Sequence, residues 1–148
     1  MKYLRQFIKT TIREFLNENR ITKKVYRGGS EFGSGHHSNA TYYTDSEIEA
    51  KNYADFFHGN DKIYSKVIDF KNPLILVKSE IGNGGLYDEF VKIFGEKYVP
   101  DVYGFPFSFN DSDRIKIIDY ARNNGYDGII MDDTDISNRN IIRSYIEI

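Results

Sequence analysis

Leu4, Phe7, Ile8, Ile12, Phe15 and Leu16 recur at three- and four-residue spacing, which puts them on one stripe of a helix over residues 2–19. The polar run Asn17-Glu18-Asn19-Arg20 suits its end or a linker. From Thr22 the pattern changes. Lys24-Val25-Tyr26-Arg27 reads as a short strand, closed by Gly28-Gly29 and a Gly/Ser/His loop through Asn39. A second strand over residues 40–44 runs into a helix whose N-cap is Thr44, Asp45 or Ser46, with Glu47 and Glu49 where they favour the positive end of the helix dipole. The pattern predicts that Ile48, Tyr53, Phe56 and Phe57 form this helix's buried stripe, with Ala50 and Ala54 filling between them.

Residues 63–70 alternate apolar and polar, Lys71-Asn72-Pro73 interrupts, and Leu74-Ile75-Leu76-Val77 resumes, which predicts one long or bent strand broken at the proline. Gly82 to Gly85 reads as a turn, residues 86–97 as a helix, and residues 100–109 as an aromatic loop. Asp111 or Ser112 can cap a helix that buries Ile115, Ile117, Ile118 and Ala121 and ends at Asn123-Asn124-Gly125 by a left-handed turn. Residues 127–131 then read as a buried strand, residues 132–140 as an Asp-rich solvated turn, and residues 141–148 as a last strand. The order of elements predicts a mixed α+β domain.

Composition narrows the classes. The 148 residues are 40% hydrophobic with 12 Tyr and 11 Phe, enough apolar area for one core, which excludes a disordered chain. With no Cys there is no disulfide scaffold, thiolate zinc site or cysteine nucleophile. No apolar run approaches the roughly 18 residues of a membrane span, so the expectation is a soluble, intracellular protein without membrane association. Charge is unevenly distributed. Residues 1–24 carry seven basic side chains against Glu14 and Glu18, while the other 124 residues carry 13 basic and 20 acidic. A basic N-terminal helix therefore has reason to dock on its own acidic body or on a partner. The acidic body argues against nonspecific nucleic-acid affinity, which needs clustered Lys and Arg.

The candidate chemistry gathers at strand ends. Arg27 precedes two glycines and can offer its planar fork to a phosphate, with Gly28 permitting close backbone approach. Tyr43 and Tyr53 flank a strand-to-helix junction, where their rings can hold a flat ring between them, and Thr44 supplies a hydroxyl beside them. Taken singly, Tyr26, Tyr43 and Tyr53 read as core or interface aromatics and Arg27 as a surface ion pair. His36-His37 reads as a surface loop and His58 as a helix end interacting with carbonyls. The Asp132-Asp133-Thr134-Asp135 run lacks the Gly and distant Glu of a calcium loop, so no metal is expected.

The series VYRGG at 25–29, TYYTDSEIEAKNYA at 41–54, VIDFKNPLIL at 67–76 and ARNNGYDGII at 121–130, followed by a short terminal strand, resembles the small ADP-ribosyltransferase-like domains of phages and mobile elements. The resemblance implies a domain over residues 21–148, a split β-sheet with flanking helices and NAD as co-substrate in a cleft, preceded by a separate helix over residues 1–20. It implies that Arg27, with Tyr26 and Gly28, contacts the dinucleotide, that Thr44 with Tyr43 supports the nicotinamide ribose, and that Tyr53 stacks on nicotinamide. Many members place a Glu just before the last strand's Tyr-Ile/Val pair, where this chain has Ser144. Strand alternation sends Ser144 to one face and Arg143, Tyr145 and Glu147 to the other, so Glu147 takes that place only with a one-residue shift or bulge, and the remaining candidate carboxylates are Asp132, Asp133 and Asp135. A carboxylate is wanted because breaking the nicotinamide–ribose bond develops oxocarbenium-like charge, and losing such a group costs roughly 100- to 1000-fold in rate.

The implied activity is NAD-dependent mono-ADP-ribosyl transfer to a protein or nucleic-acid acceptor with release of nicotinamide. The alternatives are NAD glycohydrolysis, a catalytically inactive nucleotide- or partner-binding module of phage origin, and an RNA-end phosphate transferase, which the acidic body disfavours. The N-terminal helix, ending Phe15-Leu16-Asn17-Glu18, resembles the capsid-targeting peptides that a prohead protease removes, which implies packaging in a virion and action in the host cytoplasm. The alternative is a helix that docks on the body or on another partner.

Overall fold

A computed structural model describes residues 2–8, 20–31, 40–97, 109–134 and 141–148. Its strands are β1 (Ile21–Gly28), β2 (Thr41–Thr44), β3 (Ile63–Phe70), β4 (Pro73–Leu76), β5 (Gly128–Thr134) and β6 (Ile141–Glu147). Residues 2–8 are helical (α1). Three further helices follow: α2 (Glu47–Tyr53), which continues into a π-helical turn over Ala54–His58, α3 (Lys78–Phe94) and α4 (Asp111–Asn123). Among the described residues the strands form one open mixed sheet in the order β3-β1-β2-β6-β5-β4, antiparallel throughout except for the β4–β5 pair. The fold is α+β, as its sequence predicts.

Topology forces this sheet to fold over on itself. β3 and β4 lie at opposite edges, yet only Lys71 and Asn72 connect them. A flat sheet of this order separates its edges by about 24 Å, whereas two linking residues reach only about 11 Å. The hinge is the β1–β2 joint, paired at a single position, Tyr26 opposite Thr44. About it the long β1–β3 ribbon turns across the face of the other four strands. Phe70 of β3 packs against Gly128 of β5, and Lys66 of β3 reaches Glu147 of β6. Asp127 fastens the crossing: its carboxylate accepts from the backbone N–H of Lys71 (2.6 Å) and Asn72 (2.9 Å). The sequence's single strand broken at Pro73 is thus two strands on opposite edges, and the expected split is a fold within one hydrogen-bonded sheet.

Two apolar layers result. Inside the fold lie Val25, Ile68, Phe70, Val77 and Ile130 with Tyr43 and Tyr145. On the outer face Leu74, Leu76, Ile129, Met131 and Ile146 pack against Leu86 and Phe90 of α3 and Ile117, Ile118 and Ala121 of α4.

The helices depart from expectation in instructive ways. Ser46 is the N-cap of α2, its Oγ accepting from the Glu49 N–H (3.3 Å), but the expected buried stripe faces outward. Ile48, Tyr53, Phe56 and Phe57 are exposed, and the small Ala50 and Ala54 make the contact with the sheet. A face of alanines brings helix and strand backbones together as larger side chains cannot. α3 begins at Lys78, and the expected turn at Gly82 is a kink inside it, Gly82 standing at φ 71°. α4 starts one residue early: Asn110 is its N-cap, in a reciprocal capping box with Asp113. It ends as predicted, with Gly125 left-handed at φ 79°. The expected helix beyond residue 8, the loop carrying His36 and His37, the aromatic loop over 100–108 and the turn from Asp135 to Asn140 lie outside the described residues.

Candidate functional site

The hinge between β1 and β2 carries most of the residues singled out by sequence, and the pleat sorts them onto two faces. Tyr26 and Thr44 are register partners on one face, so the next pair, Arg27 and Tyr43, shares the other. Arg27 folds back on its own turn. Its Nε donates to the Ser30 carbonyl (2.9 Å), Nη1 to the Tyr42 carbonyl (2.8 Å) and Nη2 to Ser30 Oγ (3.4 Å). Partial burial lowers its pKa from the usual arginine range, against the fields of Tyr53 and Tyr43. Arg27 therefore braces the turn after β1 and ties it to β2.

Gly28 and Gly29 do open the backbone to close approach, but the chain itself makes that approach. A Cβ at Gly28 falls 1.8 Å from the Ala50 carbonyl oxygen of α2. Gly29, at φ 88°, lies under the His58 ring, with its Cβ position 2.1 Å from a ring carbon. His58, expected at helix carbonyls, thus covers the end of β1. The Thr44 hydroxyl accepts from the Ser46 N–H (3.2 Å) and helps start α2. Tyr53, 40% exposed, has its ring 4.6 Å from that of Phe57 and 5.8 Å from His58. Tyr43 is buried in the inner layer with Lys66 Nζ 5.5 Å from its ring centroid. The two tyrosines expected to clasp a flat ring belong to different environments, Tyr43 to the core and Tyr53 to an aromatic surface.

The acids are strand residues rather than a solvated turn. β5 runs on through Asp132, Asp133 and Thr134, paired with Arg143, Ile142 and Ile141 of β6. Both aspartates are buried, at 8% exposure each. Burial of consecutive carboxylates is tolerable because each meets an arginine on its own face. Asp133 forms an ion pair with Arg114 of α4. Burial works to lower the Arg114 pKa, but the Asp133 carboxylate outweighs it and holds the value above the usual range. On the inner face Asp132 accepts from Arg143 Nε (3.2 Å), whose other nitrogens meet Ser79 Oγ (3.3 Å) and Glu80 (3.6 Å). Glu147, third of the candidates, accepts from Lys66 Nζ with both carboxylate oxygens, at 2.7 and 2.8 Å. It lies close to the Tyr43 hydroxyl, so that burial first and Glu147 second raise the Tyr43 pKa, Arg27 opposing them.

The inner face thus collects Arg27, Tyr43 and Glu147, with Asp132 further along beside Tyr145, whose hydroxyl donates to Asp45 (3.4 Å). Tyr26, Thr44 and Asp133 lie on the other face, where Ser144 stands opposite Thr44. Arg27, Thr44 and Asp133 are therefore not brought to one face. Sequence reasoning missed Lys66, Arg114 and Arg143 as partners of the three acids. Arg143 alone had a legible signal, since alternation along β6 gives it the face of Glu147. Among the described residues no three or more His, Cys, Asp or Glu side chains come together as a metal site. No helix among them is long and apolar enough to cross a membrane.

The phenols give this region a pH dependence. Burial pushes Tyr42 up to about 12 against the nearby Arg114. Burial and then the Asp45 charge push Tyr145 up to about 12. The folded state holds both protons more tightly than the unfolded chain, whose phenols titrate near 10. Their contribution to stability is complete below about pH 10 and is lost as pH rises through about 12. Melting temperature is expected to fall steeply over that interval, and Tyr42→Phe should flatten the decline.

Comparison of the chain with protein-family models, with curated proteins and with solved structures found no match.

Proposed function

We propose that the chain is an ADP-ribosyltransferase-like domain that binds NAD at the β1–β2 hinge and acts as a nucleotide-binding module. The reading rests on the sequence resemblance over residues 24–148, and the single observation that favours binding over transfer is electrostatic. Among the described residues each candidate carboxylate is paired with a basic side chain: Asp132 with Arg143, Asp133 with Arg114, Glu147 with Lys66. Ser144, where many relatives carry the acid, faces Thr44 with a hydroxyl that bears no charge. A cleft so balanced lacks the fixed, uncompensated negative field that accelerates glycosidic cleavage.

Titration with NAD tests this. The expected result is an NAD-dependent rise in melting temperature without release of nicotinamide; the absence of any rise sinks the NAD reading. Arg27→Ala is expected to abolish the rise. Because Arg27 also braces Ser30 and Tyr42, the variant should lose about 2 kcal/mol before any ligand is added. Its response to NAD is therefore read as the increment over its own baseline.

One observation favours transfer as a second reading. Glu147 touches the Tyr43 hydroxyl on the face of Arg27, and its partner Lys66 is a solvent-exposed side chain that a dinucleotide phosphate can draw away. On this reading the domain passes ADP-ribose to a protein or nucleic-acid acceptor, or to water as a glycohydrolase. Nicotinamide release by the unaltered chain, falling roughly 100- to 1000-fold in Glu147→Gln, would establish it over simple binding. The same resemblance supports a phage-borne protein, packaged in a virion and working in the cytoplasm of a host cell, with residues 1–20 as a targeting or docking arm.

A further inference from the structure

Two apolar surfaces of this chain stand exposed at once. On α1, Leu4, Phe7 and Ile8 form the described part of the amphipathic stripe, and Phe7 is 68% exposed. On α2 and its π-turn the side away from Ala50 and Ala54 presents Ile48, Phe56 and Phe57, Phe56 being 70% exposed. The Phe56 and Phe57 rings meet edge to face at 4.8 Å, and Tyr53 stacks beyond them, so these side chains form a continuous aromatic ridge. Nothing in the fold of the domain requires this ridge. The α2 contact with the sheet is made by alanines over a glycine, and a soluble surface helix ordinarily carries polar residues where this one carries Ile and two Phe.

Charge says what covers it. From Asp45 to Asp61 the ridge segment carries Asp45, Glu47, Glu49, Asp55 and Asp61 against Lys51 alone. α1 carries the opposite sign, with Lys2 and Arg5 and no acidic side chain over residues 2–8. A basic amphipathic helix and an acidic apolar ridge are complementary in both respects. Within one molecule the described apolar side chains of each remain open to solvent.

We propose that the α1 arm of one copy lies on the α2 ridge of a second copy, and reciprocally, giving a two-fold dimer by arm exchange. A two-fold exchange makes the same contact twice, which doubles the apolar area covered for one loss of rotational and translational freedom. The inference does not rest on NAD binding at the hinge.

Sedimentation of the full chain at rising concentration tests it. The expected mass is twice 17.3 kDa, falling to that of the single chain in Leu4→Glu/Phe7→Glu and, separately, in Phe56→Glu/Phe57→Glu. All four positions are exposed, so both variants should keep the melting temperature of the domain. The decisive step is mixing. The arm variant retains an intact ridge and the ridge variant an intact arm, so labelled arm variant should bind unlabelled ridge variant and should not bind more of itself. A monomeric unaltered chain, a dimer that survives in either variant, or failure of the two variants to bind one another overturns the proposal.

Discussion

Replacing Gly28 with alanine is expected to lower the melting temperature by about 10 °C, a loss of about 3 kcal/mol or more. The added methyl would lie 1.8 Å from the Ala50 carbonyl oxygen, 2.8 Å from its carbonyl carbon and 2.9 Å from the Ala54 nitrogen. All three are backbone atoms, so no side chain can turn aside. Either α2 lifts from β1 or β1 shifts and opens its single pairing with β2 at Tyr26 and Thr44. Since that pairing is the hinge, the effect should also reach the NAD-binding increment. Thermal denaturation checks the magnitude. A variant as stable as the unaltered chain would mean that the Ala50–Gly28 approach is not what seats α2.

The same contact explains why α2 buries a face that hydrophobic periodicity does not predict. Hydrophobic periodicity identifies the larger apolar side chains with the buried face, and Ile48, Phe56 and Phe57 satisfied that rule better than two alanines. What decides the buried face here lies on another strand, in the missing Cβ of Gly28, and no local window contains it. β6 behaved differently. Its alternation correctly separated Ser144 from Arg143, Tyr145 and Glu147, because a pleated strand fixes its faces whatever its neighbour is. Pairing partners were not legible: residues 63–70 and 74–77 read as one strand because alternation carries no information about which edge a strand occupies. The NPL sequence instead marks a two-residue crossing, held by the Asp127 carboxylate 55 residues away.

The acids failed as a turn for a related reason. An Asp-Asp pair in isolation has the composition of a solvated loop. It becomes strand only where each carboxylate finds a cation on its own face, and those cations come from α4 and from β6. The site is correspondingly only half legible. Arg27 and Tyr43 do adjoin on one face, as neighbouring positions on paired strands, and alternation along β6 gives Arg143 its face, whereas the neutralising Lys66 and Arg114 emerge only from the folded topology.

Asp133→Ala should then be among the most damaging single changes in the chain, costing about 3–5 kcal/mol. It leaves the Arg114 guanidinium, whose side chain is only 20% exposed, beneath the sheet without its carboxylate. Part of that cost is the desolvation of the arginine rather than the loss of the pair, and the two are separable. Removing the charge from both partners, as in Asp133→Leu/Arg114→Met, should restore most of the lost stability, because an apolar pair of similar volume requires no compensation. A double variant as unstable as the single one would mean that Asp133 is needed for its own contacts rather than to neutralise Arg114. The outcome also bears on mechanism. A carboxylate whose role is to hold a buried arginine is not available to stabilise positive charge on a ribose, so recovery of folding in the double variant with NAD binding retained would remove Asp133 from the candidate acids and leave, among the described residues, Asp132 and Glu147 on the face of Arg27 and Tyr43.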